Sequence, residues 1–137
     1  MDGDRYCWAC KRKRPHASDP MPGPVERLDE VFEMLGVEPE EECEGVDGLI
    51  SEHEDFVGMD PSQEVLNVHN LIAAQKTEHY EIAAYGNLAL LADRLGESEF
   101  GDMLHATLEE EEAALDTLAS ITDGLDYEAV QEPGAAD

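Results

Sequence analysis

A chain of 137 residues with 34 acidic and 8 basic side chains carries a net charge of -26, and its length suits one domain with a core of its own. That charge repels nucleic acid and anionic membrane surfaces and favours cations, so DNA or membrane binding by the body of the protein is not expected. No run of 18 apolar residues occurs, the N-terminus lacks a secretory pattern, and the three cysteines form no disulfide framework, so a reducing cytoplasm is the expected compartment.

The charge is unevenly spread. Arg5, Lys11, Arg12, Lys13 and Arg14 are five of the eight bases, whereas residues 25–137 set 31 acids against Arg27, Lys76 and Arg94. Such an acidic, lysine-poor body suits a salt-rich, halophilic cytoplasm in which counterions screen self-repulsion.

Residues 1–24 combine the basic cluster with prolines at 15, 20, 22 and 24 and show no apolar period, so they are read as irregular. From Val25 the pattern changes. Val25, Leu28, Val31, Phe32 and Leu35 recur every three or four residues before Gly36, predicting a helix of about three turns. After an acidic link, Val46, Leu49, Ile50, His53, Phe56 and Val57 predict a short helix ending at Gly58. Asp60 as N-cap and Pro61 in the first turn open the third helix, which runs to Leu95-Gly96, roughly 35 residues or about 50 Å. Ser98 is the expected cap of the last helix, whose stripe of Phe100, Leu104, Leu108, Leu115 and Leu118 ends at Asp123-Gly124. Residues 124–137 are expected to form a flexible acidic tail.

Both long helices place carboxylates where apolar residues want burial. At about 100° per residue Leu71, Glu78, Ile82, Tyr85, Ala89 and Ala92 share one stripe of the third helix, with Glu81 beside Leu88 at its edge. In the fourth, taking Leu104 as zero, Leu108 lies at about 40°, Glu111 at about -20° and Leu115 at about 20°, so Glu111 is central to the apolar face. Glu109 and Glu110 point away, and Glu112 is at the boundary. A tight turn at Gly96 makes the two helices antiparallel neighbours, which brings Glu78, Glu81 and Glu111 together in a low-dielectric seam. Buried carboxylates protonate, pair with a cation or bind a metal. This body has few cations, so a metal is the simplest answer, and carboxylates from facing helices build dinuclear iron or manganese sites.

The run "LIAAQKTEHYEIAAYGNLALLADRLG" followed by "MLHATLEEEEAALDTLASI", with "VERLDEVFEML" and "CEGVDGLI" before it, resembles the YciE/YciF family of ferritin-like proteins over roughly residues 25–121. Its Glu-His-Tyr-Glu order also resembles a metal-binding helix of rubrerythrin-like proteins. The resemblance implies an all-α, ferritin-like four-helix bundle with a ferroxidase-type dimetal centre, which binds two iron ions, oxidises Fe(II) with dioxygen or peroxide, and protects against oxidative stress. It implies Glu78 and Glu81 as third-helix ligands and Glu111 as the fourth-helix ligand, with Glu110 second choice.

The departures bear on that expectation. Relatives carry a full first helix with a glutamate and then a Glu-x-x-His pair a little before the position of Val25; here Asp19 and Pro22 occupy that region among prolines that forbid a helix. Ala114 stands three residues after Glu111, where many ferritin-like sites place histidine. The chain therefore offers about half of a dinuclear ligand set, to be completed by a second subunit of a homodimer. Metal-free helix-to-helix association through the apolar face is the alternative function. For residues 1–24 two readings stand: a truncated or frame-shifted start, which is favoured, or an appended element in which Cys7-x-x-Cys10 and His16 supply part of a zinc site. His79 is expected beside the site but not in it, and His53, His69 and His105 show no ligand partner at helical spacing. Tyr85 is inward-facing and Tyr80 is not.

Overall fold

The computed structural model describes residues 6–7, 12–13, 23–40 and 42–131. It divides into one unit of residues 1–41 and another of residues 42–137. In the first, β1 (Tyr6–Cys7) pairs antiparallel with β2 (Arg12–Lys13), Tyr6 opposite Lys13 and Cys7 opposite Arg12. This two-residue ladder lies in the stretch expected to be irregular; the proposed Cys7, Cys10 and His16 zinc ligands concern side chains outside the described residues. Helix α1 (Pro24–Leu35) begins with proline at its first position, where the missing N–H costs no hydrogen bond. It ends at Gly36, whose φ of 67° is open to glycine without a Cβ penalty. There the Gly36 and Val37 amides donate to the Glu33 and Phe32 carbonyls, closing the helix as a Schellman motif.

The second unit is all-α: α2 (Glu44–Val57), α3 (Gln63–Leu95), α4 (Ser98–Asp123) and α5 (Tyr127–Gln131). Between α3 and α4 the chain reverses at Gly96, φ 76°, with the Gly96 and Glu97 amides returned to the Asp93 and Ala92 carbonyls. A turn this short forces an antiparallel hairpin. Successive cross-helix contacts mark its register: Asp93 with His105 near the turn, Gly86 beside Leu108 in the middle, and Gln75 bonded to Thr122 at the open end.

Small residues set the spacing of the hairpin. Ala89 and Ala92 of α3 are buried against Leu104 of α4, with Tyr85 and Phe100 packed around them. Thr107 of α4 is 1% exposed and satisfies its hydroxyl on the Met103 carbonyl one turn back. Alanine on one helix and leucine on the other let the backbones approach while filling the gap. Helix α2 packs antiparallel along the first half of α3: Cys43 at its start meets Tyr80, and Phe56 near its end stacks on His69. Among the described residues of this unit no helix other than α4 packs along the second half of α3, and Leu88, Leu91 and Leu95 are 45%, 54% and 68% exposed.

Three boundaries differ from the sequence reading. The cap of α3 is Ser62, whose hydroxyl accepts from the Val65 amide, rather than Asp60. Asp60 instead takes the left-handed conformation, φ 53°, to complete the reversal after α2, a role its short polar side chain tolerates. Helix α4 starts at Ser98, so Glu97 holds the cap position. In the expected tail, Tyr127–Gln131 forms α5, supported by the Tyr127 hydroxyl donating to the Thr122 carbonyl and by Asp126 accepting from the Glu128 amide. No helix among the described residues is long and apolar enough to cross a membrane.

Candidate metal centre

Glu78 and Glu81 are three residues apart on α3, a spacing that puts both side chains over the same turn. Glu111 reaches them from α4 because the hairpin register sets it opposite. One carboxylate oxygen from each of the three lies within 4.8 Å of the others, and all three residues are half-buried. This is the convergence the helical angles predict, and it forms about two to three turns from the Ala89–Leu104 core on the open-end side of the hairpin.

Electrostatically the cluster is strained by its own charge. Oε2 of Glu78 is removed from solvent and has no hydrogen-bond partner among the described residues, an arrangement that costs roughly 1–3 kcal/mol for a buried polar atom, and more for a charged one. Burial pushes the Glu81 carboxyl above the ordinary carboxylate range, the neighbouring Glu111 charge raises it further, and a hydrogen bond with Glu111 adds to the effect. Among the described residues no cationic side chain offsets that charge at Glu81. A divalent ion relieves all of these terms at once.

The donor set fits such an ion. Three carboxylates offer hard oxygens in one- or two-toothed modes, the chemistry that suits Mg(II), Mn(II) and Fe(II). They suffice for one ion with positions left for water. A dinuclear centre of the kind the resemblance implies needs more ligands, and the cluster among the described residues stops at three.

The remaining expected residues fall outside the cluster. Glu110 is exposed and is not brought to it, because the angle that centres Glu111 turns its neighbour outward; Glu109 and Glu112 are exposed too. His79 is exposed. Tyr85 packs on the Ala89–Leu104 core. His105 bonds Asp93, 2.9 Å from its Nε2, and the Asp93 hydrogen bond raises its pKa. His53 and His69 bond each other across α2 and α3, a pairing that periodicity could not reveal because it spans sixteen positions and a chain reversal.

Comparison with known proteins places these features in a lineage. The family model described as "Domain of unknown function (DUF892)" matches residues 22–131. Protein YciF of Escherichia coli (strain K12) is 42% identical over 94 residues, which are 66% of this chain and 56% of that protein. The crystal structure of the E. coli stress protein YciF superposes with a TM-score of 0.67 at 38% identity, covering 72% of this chain and 64% of that one. That of YcfI from Rhodopseudomonas palustris does so with a TM-score of 0.66 at 40% identity, covering 71% and 62%. The chain thus spans 56% to 64% of the length of these relatives. With four fifths of its residues under the family model and the same helical bundle as the solved relatives, the chain belongs to the DUF892 family, that of YciE and YciF.

Proposed function

We propose that this protein binds iron through Glu78, Glu81 and Glu111 and serves as a ferritin-like ferroxidase in the defence against oxidative stress. The observation that carries this reading is the buried, unpartnered Glu78 oxygen set among two further carboxylates. A protein keeps such a group only where something offsets its cost, and a cation does so. One relative is itself described as a stress protein, which agrees with the reading. When bound, iron would supply the passage of electrons from Fe(II) to dioxygen or peroxide; the chain supplies the oxygen ligands, holds the Glu81–Glu111 proton when no ion is present, and limits access of water. Manganese suits the same donors.

Three carboxylates make half of a two-ion centre. A second copy of the chain, related by a two-fold axis, would contribute three more and complete a site for two ions at the dimer interface. Metal-free association is the second reading, favoured by the exposed Leu88, Leu91 and Leu95.

Anaerobic Fe(II) titration followed by calorimetry, then absorbance on admitting air, tests the proposal. Wild type is expected to take up one ion per chain and develop the near-ultraviolet absorption of ferric carboxylate, with both lost in Glu81→Ala. Equal uptake by the two proteins would overturn it.

A further inference from the structure

His53 of α2 and His69 of α3 approach across the helix interface with Nδ1 of the first 3.1 Å from Nε2 of the second. Their rings lie within 7° of parallel. Phe56, one turn after His53, stacks on His69 with ring centres 3.8 Å apart and fixes that imidazole in place. Neither ring belongs to the carboxylate cluster: His69 is nine residues before Glu78, about 13 Å along the axis and about 180° around it.

From this geometry we propose that His53 and His69 form a second metal site, a two-imidazole clamp for a divalent ion of the zinc and copper class that ties α2 to α3. Two imidazole nitrogens each about 2.0–2.1 Å from one ion stand about 3.1–3.4 Å apart, which is the separation already present. Binding would require side-chain rotation, chiefly of His53, to turn both lone pairs to a common point. The hydrogen-bonded pair carries a proton on one of its inner nitrogens, so binding the ion requires that ring to give this proton to solvent and take one up on its outer nitrogen, which frees both inner lone pairs with no net proton released.

The surroundings leave room for the remaining ligands. Both histidines line a groove of about 550 Å³ between α2 and α3, with Leu49, Ile50 and Ala73 on its apolar wall and Asn70 at the same level. Solvent or a small anion can fill the open positions there. Glu52, next to His53, is held ionised by its ion pair with Lys76 at the same groove, so the pair sets no net positive charge against an entering cation. Ligand chemistry separates this site from the other: imidazole favours the later, softer ions, whereas the three glutamates favour hard ones. The consequence is mechanical. Among the described residues of its unit α2 packs only on α3, so an ion bridging the two helices holds α2 down.

The test uses the full-length chain carrying Cys7→Ser, Cys10→Ser, Cys43→Ser and Glu81→Gln, which removes the thiols and disables the carboxylate cluster. Zn(II) affinity is measured by competition with a chromogenic chelator, and nitrogen hyperfine coupling is read from Cu(II) electron paramagnetic resonance. The parent is expected to bind one zinc and to show two imidazole nitrogens on copper. His53→Gln and His69→Gln each weaken zinc binding about tenfold or more and leave one nitrogen. His69→Gln also removes the Phe56 stack, so His53→Gln, which keeps it, is decisive; circular dichroism confirms that its helices are intact. Unchanged zinc affinity in His53→Gln, or two nitrogens persisting in it, overturns the clamp.

Discussion

Glu81 of α3 and Glu111 of α4 bring carboxylate oxygens within 4.8 Å of each other across the seam although both are acids. Two carboxyl groups held this close favour a proton on one of them, so the folded, metal-free centre binds a proton more tightly than the unfolded chain does. The folded pKa of Glu81 lies above its ordinary value of 4.5, because of burial first and Glu111 second. Over the window from about 4.5 up to that raised value the native state binds more protons than the unfolded one, and stability falls as pH rises. Metal affinity runs the other way, since the ion must displace the same proton. Thermal melts in a chelator across pH 4–8 are expected to show a downward component in wild type that Glu81→Gln lacks, and Mn(II) affinity should climb through the same window.

A glutamine at position 81 separates function from stability. It keeps the shape of the side chain, donates a hydrogen bond to Glu111, and removes one negative charge from the cluster. The metal-free variant should be more stable than wild type at pH 7 by on the order of 0.5–1 kcal/mol, a modest figure because Glu81 retains solvent contact that screens its charge. With Mn(II) at a hundred times its dissociation constant, wild type should gain about 2.7 kcal/mol, and the variant should gain nothing. Chemical denaturation with and without the ion measures both. A variant less stable than wild type without metal would mean that the three carboxylates are not in conflict.

The core makes its own prediction, because it is small and close-packed. Ala89 is fully buried and Leu104 is 8% exposed. Leu104→Ala should cost about 2–4 kcal/mol through lost burial and a residual cavity. Ala89→Leu should cost about 1–3 kcal/mol by forcing the two helices apart. Since the carboxylate cluster depends on the same inter-helix spacing, Ala89→Leu should also weaken Mn(II) binding although it touches no ligand. Urea denaturation paired with calorimetric titration checks the two effects together.

His105 and Asp93 offer a pH-linked contact near the hairpin turn. Asp93 accepts from His105 with one oxygen, and its other oxygen stands 2.6 Å from where a side chain on Gly101 would begin. The histidine is raised above 6.5 by the Asp93 hydrogen bond, which outweighs the lowering by desolvation, with the Asp93, Asp102 and Glu109 charges adding to the rise. A histidine raised in the folded state stabilises fully below its unfolded pKa, and that contribution disappears as pH climbs through the folded value. Proton titration of the His105 ring by nuclear magnetic resonance should give a value above 6.5 in wild type. Asp93→Asn should lower it, and Gly101→Ala should as well by displacing the Asp93 carboxylate.

Helix positions and the inward carboxylates were legible because they rest on local periodicity. Gly36 and Gly96 announced their helix ends through the left-handed conformation that glycine favours, and Glu111 announced its burial by falling at the centre of a leucine stripe. The cap of α3 was missed because Asp60 and Ser62 are both good caps two residues apart, and only the backbone reversal after α2 decides between them. The same limit explains Tyr127–Gln131, whose helical turn depends on the Tyr127 hydroxyl finding the Thr122 carbonyl. The His53–His69 pair was beyond reach for another reason. Its members sit on different helices, and nothing in either helix's own pattern marks them as partners.

The uncovered half of α3 decides how the centre is completed. Leu88, Leu91 and Leu95 lie within about 80° of Glu81 around the helix axis, so the exposed leucines flank the Glu81 edge of the centre. If a second copy supplies the missing ligands, dimerisation and metal binding are one event. Sedimentation velocity should then show wild type shifting from monomer to dimer on adding Fe(II) without oxygen, with two ions per dimer, and Glu81→Ala staying monomeric. Leu91→Glu, placing a charge in the interface without touching a ligand, should lower both the dimer fraction and the affinity for iron by at least tenfold, the cost of burying an unpaired charge. Under metal-free association the pattern differs: wild type and Glu81→Ala are equally dimeric with or without iron, and only Leu91→Glu comes apart. One ion held tightly by a monomer would keep the carboxylate site and remove the second copy from it.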